Sequence, residues 1–178
     1  MLTVVKVGGG LLATPGLLPR VGRAVARLGL ARPLVVIPGG GPFADQVRRF
    51  EEAHGLNPTA AHWMAILAMD QFAWVVAGAI PGSRLVEDRP GVLQAHHDGV
   101  VPVLAPSRWL RAADELPHRW EVTSDSLAAY LATLLGAEEL LLVKPVDGGA
   151  ELVDPWFARV APAGMAVRIV GAEAFAAD

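Results

Sequence analysis

The sequence has no cysteine and only two lysines, Lys6 and Lys144, among its 15 basic residues. Without cysteine there is no disulfide framework and no thiolate metal site, and the redox compartment is left open. A net charge of −3 and a pI near 5.9 leave no basic footprint, so no nucleic-acid partner is expected. The first residues lack a charged region leading into a long apolar core and cleavage site, so no secretory signal is expected either. Neither GxxxxGK[ST] nor GxGxxG occurs, which sets aside the two commonest nucleotide-loop patterns. The most apolar window, residues 63–80, carries Asp70 and Gln71 at its middle. A charge there makes a membrane span costly, so the expectation is a buried helix in a cytoplasmic protein with no membrane partner.

What is present is a chain of 178 residues, 53% hydrophobic, with a mean hydropathy of +0.40. That suits a single domain over residues 1–178 with a sizeable core. Three apolar runs each empty into a glycine turn: residues 2–10 (LTVVKVGGG), 33–42 (PLVVIPGGGP) and 140–149 (LLLVKPVDGG). The two lysines lie in the first and third of these units. Arginine is the default cation of this chain, and the two are not interchangeable where a compact charge must reach a phosphate. The surviving lysines are therefore more informative than lysines usually are, although two residues leave chance as a competing explanation.

In chain order, residues 2–7 read as a central strand, apolar almost throughout. Thr14-Pro15 reads as the cap and first position of a helix running to about Leu28 and ended by Gly29. A second strand covers residues 33–38, and a helix runs from about Pro42 to Gly55. Asn57-Pro58 opens a long helix to about Ala79, stopped by Pro81-Gly82. Residues 83–87 read as a short strand, 88–99 as a loop or hairpin, 100–104 as a strand and 106–113 as a short helix. The cluster Thr123-Ser124-Asp125-Ser126 opens a helix over 124–135, closed by Gly136. Strands follow at 139–143, near 151–153 and at 166–170, with a helical turn begun by Asp154-Pro155. Alternating strands and helices predict an α/β fold, a three-layer αβα sandwich on a mainly parallel central sheet. Ligands bind such sheets outside the carboxyl ends of the strands. The glycine turns fall there and should converge.

Gly8, Gly9 and Gly10, and again Gly39, Gly40 and Gly41, can bring bare N–H groups to an anion. One glycine turn alone is a weak signal, since tight βα turns also use glycine; two, one with a lysine just upstream, favour an anion site. Lys6 lies in an apolar strand and needs an anionic partner, either a carboxylate or a ligand phosphate. Asp125 sits in the first turn of its helix, where the dipole alone favours a carboxylate; its functional role would be to hold and orient a lysine. His62 lies on one face of the long helix with Asp70 near the margin of that face. Asp70 either pairs with a local arginine or faces a polar substrate. His96-His97 lacks the further ligands of a metal site and reads as solvated loop, so no metal ligand is assigned. Asp147 in VDGG reads as a turn residue and is grouped with the first glycine loop on the nucleotide side.

Taken in order, VVKVGGG, VVIPGGGPFADQVR, TSDSLAAYLATLLGA and LLLVKPVDG resemble the amino acid kinase superfamily, and together they span most of the chain. The combination of AHWMAILAMDQ, WEVTSDSLAAYLA and ELVDPWF looks most like the kinases of methanofuran biosynthesis. The resemblance implies ATP as donor with Mg2+, and an aminomethylfuran-methyl phosphate converted to its diphosphate. It implies Lys6 at the transferring phosphoryl group, Gly8, Gly9 and Gly10 along the nucleotide phosphates, and Gly39, Gly40 and Gly41 at the acceptor phosphate. Asp125 would organise the catalytic lysines, and His62 or Asp70 would meet the acceptor's amine or ring. Relatives often carry a second lysine after a GGM-like stretch; here Ala163-Gly164-Met165 has none, which leaves Lys144 for that role. The segment after Gly149, which in relatives builds much of the adenine pocket, is short. The alternatives are a kinase for a carboxylate or a nucleoside monophosphate, and a non-catalytic nucleotide- or anion-binding protein of the same fold. The resemblance also implies pairing of two copies as a homodimer.

Overall fold

A computed structural model describes residues 1–177. Six strands form one sheet in the order β3-β4-β2-β1-β5-β6, and every pairing between them is parallel. The strands are β1 (Thr3–Val7), β2 (Leu34–Pro38), β3 (Ser83–Val86), β4 (Val101–Leu104), β5 (Glu139–Lys144) and β6 (Ala166–Gly171). The eight helices are α1 (Leu17–Ala31), α2 (Gly41–His54), α3 (Pro58–Ala79), α4 (Arg89–His97), α5 (Ser107–Ala112), α6 (Ser124–Leu135), α7 (Phe157–Val160) and α8 (Ala172–Ala177). The expected three-layer α/β architecture is the one observed.

β1 is central because both its faces are covered: all five of its residues are buried. Successive strand residues point to opposite faces. Val5 and Val7 accordingly join one core with Leu18, Val21 and Val25 of α1 and Phe72 and Val76 of α3. Val4 joins the other core, with Leu140 and Leu142 of β5 and Leu127, Ala128 and Leu131 of α6. Lys6 shares the parity of Val4, and Lys144 that of Leu140 and Leu142. Both lysines therefore emerge on the α6 side. At the opposite end of these strands, buried Glu139 accepts a hydrogen bond from Thr3 Oγ1 (3.1 Å) and pairs with Arg32 (2.7 Å).

The long helix α3 starts as expected: Asn57 Oδ1 accepts from Ala60 N at 2.8 Å, with Pro58 at the first position. By length and composition alone α3 could cross a membrane, but Ile66, Met69, Phe72, Ala73 and Val76 are buried in the two cores.

Several boundaries differ from those expected. A 3-10 turn occupies Gly9–Ala13, and α1 begins at Leu17 after Gly16 in the left-handed region (φ 77°), so Thr14-Pro15 belongs to the approach. Gly29 does not end α1. A Cβ there would meet Val101 Cγ2 at 2.6 Å, so it is a packing glycine, and the helix stops at Ala31 before Pro33. Residues 88–99 hold helix α4 rather than a loop. Asp88 caps it by accepting from Gly91 N at 2.9 Å, with Pro90 in the first turn. His96 is then not solvated; its Nε2 bonds the Leu34 carbonyl at 2.8 Å. Residues 151–153 lie at a 3-10 turn, Ala150–Leu152, and not in a strand. The short helix α8 was not expected.

Candidate active site

β1 lies between β2 and β5, so the loops leaving these three parallel strands are neighbours. Gly39 N bonds Val7 O at 2.8 Å, tying the second loop to the end of the first strand. The approach is closer still at Gly9, where a Cβ would fall 2.2 Å from Gly41 Cα. Gly41 itself has φ 55°, and a Cβ on it would strike the Phe72 ring at 2.9 Å. Gly10 packs against Pro145, which follows β5. The first two glycine loops thus touch, with the third unit beside them. Gly148 and Gly149 pack instead on the side chains of Leu152 and Glu151.

Behind the loops lies a buried charge cluster. Lys144 Nζ donates to Asp125 Oδ2 at 2.7 Å and to the Leu152 carbonyl at 2.6 Å. Lys6 Nζ sits 2.9 Å from Asp125 Oδ1 as an ion pair, but outside hydrogen-bond geometry, and Oδ1 has no other partner. Lys6 and Asp125 are 5% and 4% exposed, deep enough for the charges to be weakly screened. Burial pushes the Lys6 ammonium below its ordinary pKa, Asp125 holds it up, and Lys144 pushes it further down. Burial alone would raise the Asp125 carboxyl, yet the two ammonium groups outweigh that and hold it below the usual carboxylate range. Two lysines share one carboxylate, and Asp154 is close enough to act on Lys6 as a second negative charge. Gly8 keeps access open, since a Cβ there would come within 3.2 Å of Lys6 Nζ.

Asp125 is held by the start of α6. Thr123 caps that helix, its Oγ1 accepting from Asp125 N at 3.4 Å and donating to Asp154 Oδ2 at 2.8 Å. Asp154 also accepts from Thr123 N, Ser126 N, Ser126 Oγ and Trp156 N. One buried carboxylate thereby satisfies the free N–H groups of one helix and pins it to the segment that carries the Leu152 carbonyl.

In front of the loops opens a cavity of about 940 Å³. Both glycine loops and Ser124 form one side, and Arg48 of α2 and His62 of α3 stand on others. Residues 118–123 close it. There Trp120 donates through Nε1 to Glu51, and the Arg48 guanidinium lies 4.6 Å from the Trp120 ring centre. His62 stacks on His118 at 4.1 Å; burial, with His118 beside it, lowers the His62 pKa to about 4. The residues present fit a polyphosphate: two glycine loops without side chains line the cavity in contact with each other, and the two lysines lie behind them. They offer no free carboxylate for magnesium at the charge cluster, since Asp125 is committed to the lysines. An ion arriving on nucleotide phosphates is compatible with that arrangement.

Of the residues expected to form the site, Lys6, Asp125 and Lys144 come together, as do Gly8, Gly9, Gly10, Gly39, Gly40 and Gly41, and His62 faces the cavity. Asp70 does not. Its Oδ1 accepts from Ser107 N at 3.0 Å, which caps α5 and places it outside the cavity. Asp147 also lies elsewhere, bonding Gly171 N at 2.9 Å beside a cleft of about 480 Å³ between α1, β6 and α8. Sequence reasoning missed Asp154, His118, Trp120 and Arg48. The first had a signal, an Asp-Pro pair, but one that points to its own helical turn; no spacing pattern marks the others.

Residues 1–148 match the model of the amino acid kinase family. The chain is 32% identical over 147 residues to the [5-(aminomethyl)furan-3-yl]methyl phosphate kinase of Methanocaldococcus jannaschii, a match spanning 82% of this chain and 66% of that protein. Among solved structures it resembles the UMP kinase of Ureaplasma parvum (TM-score 0.71, 12% identity), over 96% of this chain and 89% of that one. It also resembles the uridylate kinase of Archaeoglobus fulgidus (TM-score 0.63, 20% identity), over 83% and 65%. At such identities the solved structures speak for the fold alone.

Proposed function

The chain belongs to the amino acid kinase family, and we propose that it transfers the terminal phosphoryl group of ATP to a small phosphorylated acceptor, an aminomethylfuran-methyl phosphate, giving the diphosphate. The observation that carries this reading is the Lys6, Asp125 and Lys144 cluster buried against two touching glycine loops. The relative from M. jannaschii supports the choice of acceptor. The cavity offers the acceptor both an anion cradle and an aromatic wall, in Trp120, His62 and His118.

In this mechanism an oxygen of the acceptor phosphate forms a bond to the terminal phosphorus while the bond from that phosphorus to the bridging oxygen breaks, leaving with ADP. The nucleophile is already an anion, so no general base is required. The protein's work is positioning and charge stabilisation. Gly8, Gly9 and Gly10 offer backbone N–H groups to the donor phosphates, and Gly39, Gly40 and Gly41 with Arg48 hold the acceptor phosphate. Lys6, ion-paired to Asp125 and next to Gly8, directs its remaining N–H groups at the transferring group. Lys144 gives its donors to Asp125 and Leu152, so it acts mainly by fixing Asp125. Magnesium, if carried on the nucleotide, would neutralise phosphate charge, with Asp125 left to the lysines. The same reading makes the protein cytoplasmic and pairs two copies of it.

The test is phosphorus NMR of the protein with Mg-ATP and a panel of acceptors: the furan phosphate, UMP, isopentenyl phosphate, acetylglutamate and aspartate. A diphosphate signal with the furan alone, slowed by about 10²–10³-fold in Lys6→Ala, is the expected result. Product with UMP or a carboxylate would reassign the acceptor. ATP binding without product from any acceptor would replace the kinase by an anion-binding protein.

A further inference from the structure

His62, Asp114 and His118 lie together on the wall of the cavity, and neither phosphoryl transfer nor the packing of the cores makes use of them as a group. We propose that these three residues bind one divalent transition-metal ion of the zinc type, distinct from any ion carried on nucleotide phosphates.

His62 stands near the start of α3, whereas Asp114 and His118 belong to the irregular segment that follows α5. One ligand atom from each lies within 4.8 Å of the others. In a tetrahedral zinc site with bonds of 2.0–2.1 Å, neighbouring ligand atoms sit about 3.3 Å apart. His118 Nε2 and Asp114 Oδ1 are already 2.9 Å apart, sharing a hydrogen bond. A metal ion replacing that shared proton keeps both groups, while His62 must close by about 1.5 Å and turn out of its stack on His118 to aim a ring nitrogen at the ion.

The surroundings are those of a held ligand set. His118 Nδ1 is bonded to Thr59 Oγ1 at 3.0 Å, the kind of outer contact that fixes a ligating imidazole and leaves its other nitrogen for the ion. Both imidazoles are packed edge-on against Trp63, at 5.2 Å and 5.7 Å between ring centres. Two imidazoles and one carboxylate form a donor set suited to zinc, cobalt or nickel and poorly suited to magnesium or calcium, which take oxygen ligands. Three protein ligands leave a further coordination position. His62 and His118 border the cavity, so that position is open to solvent or to a bound molecule. The ion would also tie residues 113–122, which carry Arg119, Trp120 and Glu121, to the body of α3.

The experiment uses the full chain stripped with chelator, without nucleotide. Zinc is titrated in competition with a chromophoric chelator, and cobalt is titrated while its visible d–d absorption is followed. The wild type should take up one equivalent of each, the cobalt form giving an intense, low-symmetry spectrum. Asp114→Asn and His118→Ala should each weaken zinc by about 10-fold or more, while His97→Ala, which alters an exposed histidine of α4, should leave it unchanged. Melting curves of the metal-free variants identify any loss of fold. Asp114 is exposed, so its variant carries the test even if His118→Ala unfolds. No stoichiometric uptake by the wild type, or uptake equal in Asp114→Asn and wild type, would overturn the proposal. Because no turnover is measured, the outcome is independent of whether the protein proves to be a kinase.

Discussion

Gly9 sets the distance between two loops, because a single added methyl would occupy the space of Gly41 Cα. Gly9→Ala should force the loops apart, costing about 1–3 kcal/mol as in other overpacked sites. Nucleotide affinity should fall with it. Thermal melting and calorimetric titration with Mg-ATP measure the two effects, and an unchanged affinity would argue against the cradle. At the same scale, Lys6 and Asp125 were legible because a lone lysine in an apolar strand has few ways to be satisfied. The same reasoning misplaced Asp70. A carboxylate in an apolar helix must find a donor, but sequence alone does not say whether that donor is a ligand or, as here, the backbone N–H of Ser107 at the start of α5. His62 brings a pH dependence. Its ordinary pKa of 6.5 falls to about 4 in the native state, so between these values the unfolded chain binds the extra proton. Its contribution is present in full above pH 6.5 and is lost as the pH falls toward 4. Urea midpoints of the metal-free protein should decline over this window, and His62→Gln should flatten that decline.

Among the elements, α6 depends most on a residue outside itself. Asp154 accepts from its Thr123 cap and from Ser126, and this fixes the turn that presents Asp125 to both lysines. Asp154→Ala leaves several buried donors unpaired at about 1–3 kcal/mol for each, and should lower the rate of phosphoryl transfer more than the affinity for the acceptor. Asp154→Asn, which retains acceptor capacity, should recover part of the rate; a loss of stability with no change in rate would limit Asp154 to a structural role. The bounds of α6 could be read directly, since Thr123 is a capping residue before a mainly apolar run and Gly136 closes it. α4 was hidden because Pro90 and Gly91 look like turn residues until Asp88 is recognised as a cap. Gly29 misled in the opposite sense: it marks the close packing of α1 on Val101 rather than the end of the helix.

At the scale of the whole molecule, strands alternating with helices were enough to infer a parallel sheet and a site at the carboxyl ends of its strands. The strand order was not available from that pattern. It places β1 between β2 and β5, brings two glycine loops into contact and lets one carboxylate serve two lysines that are 138 positions apart in the chain. The far wall of the cavity was equally hidden, because residues 113–122 have no periodicity and His118, Arg119 and Trp120 acquire meaning only from what α2 and α3 set opposite them.

The pairing of β1 with β5 also bears on how the chain reaches this state. Thr3 meets Glu139 across 136 positions, and a contact of that span closes late because the loop entropy must be met first. At ribosomal speeds β1 waits on the order of 10 s for its partner to be synthesised. During that interval the edge of LTVVKV has no β5 to cover it. A strand that ends buried at all five of its residues is thus, during synthesis, the one that stays unsealed longest, and a chaperone or rapid pairing with β2 is what stands between it and its neighbours on other nascent chains.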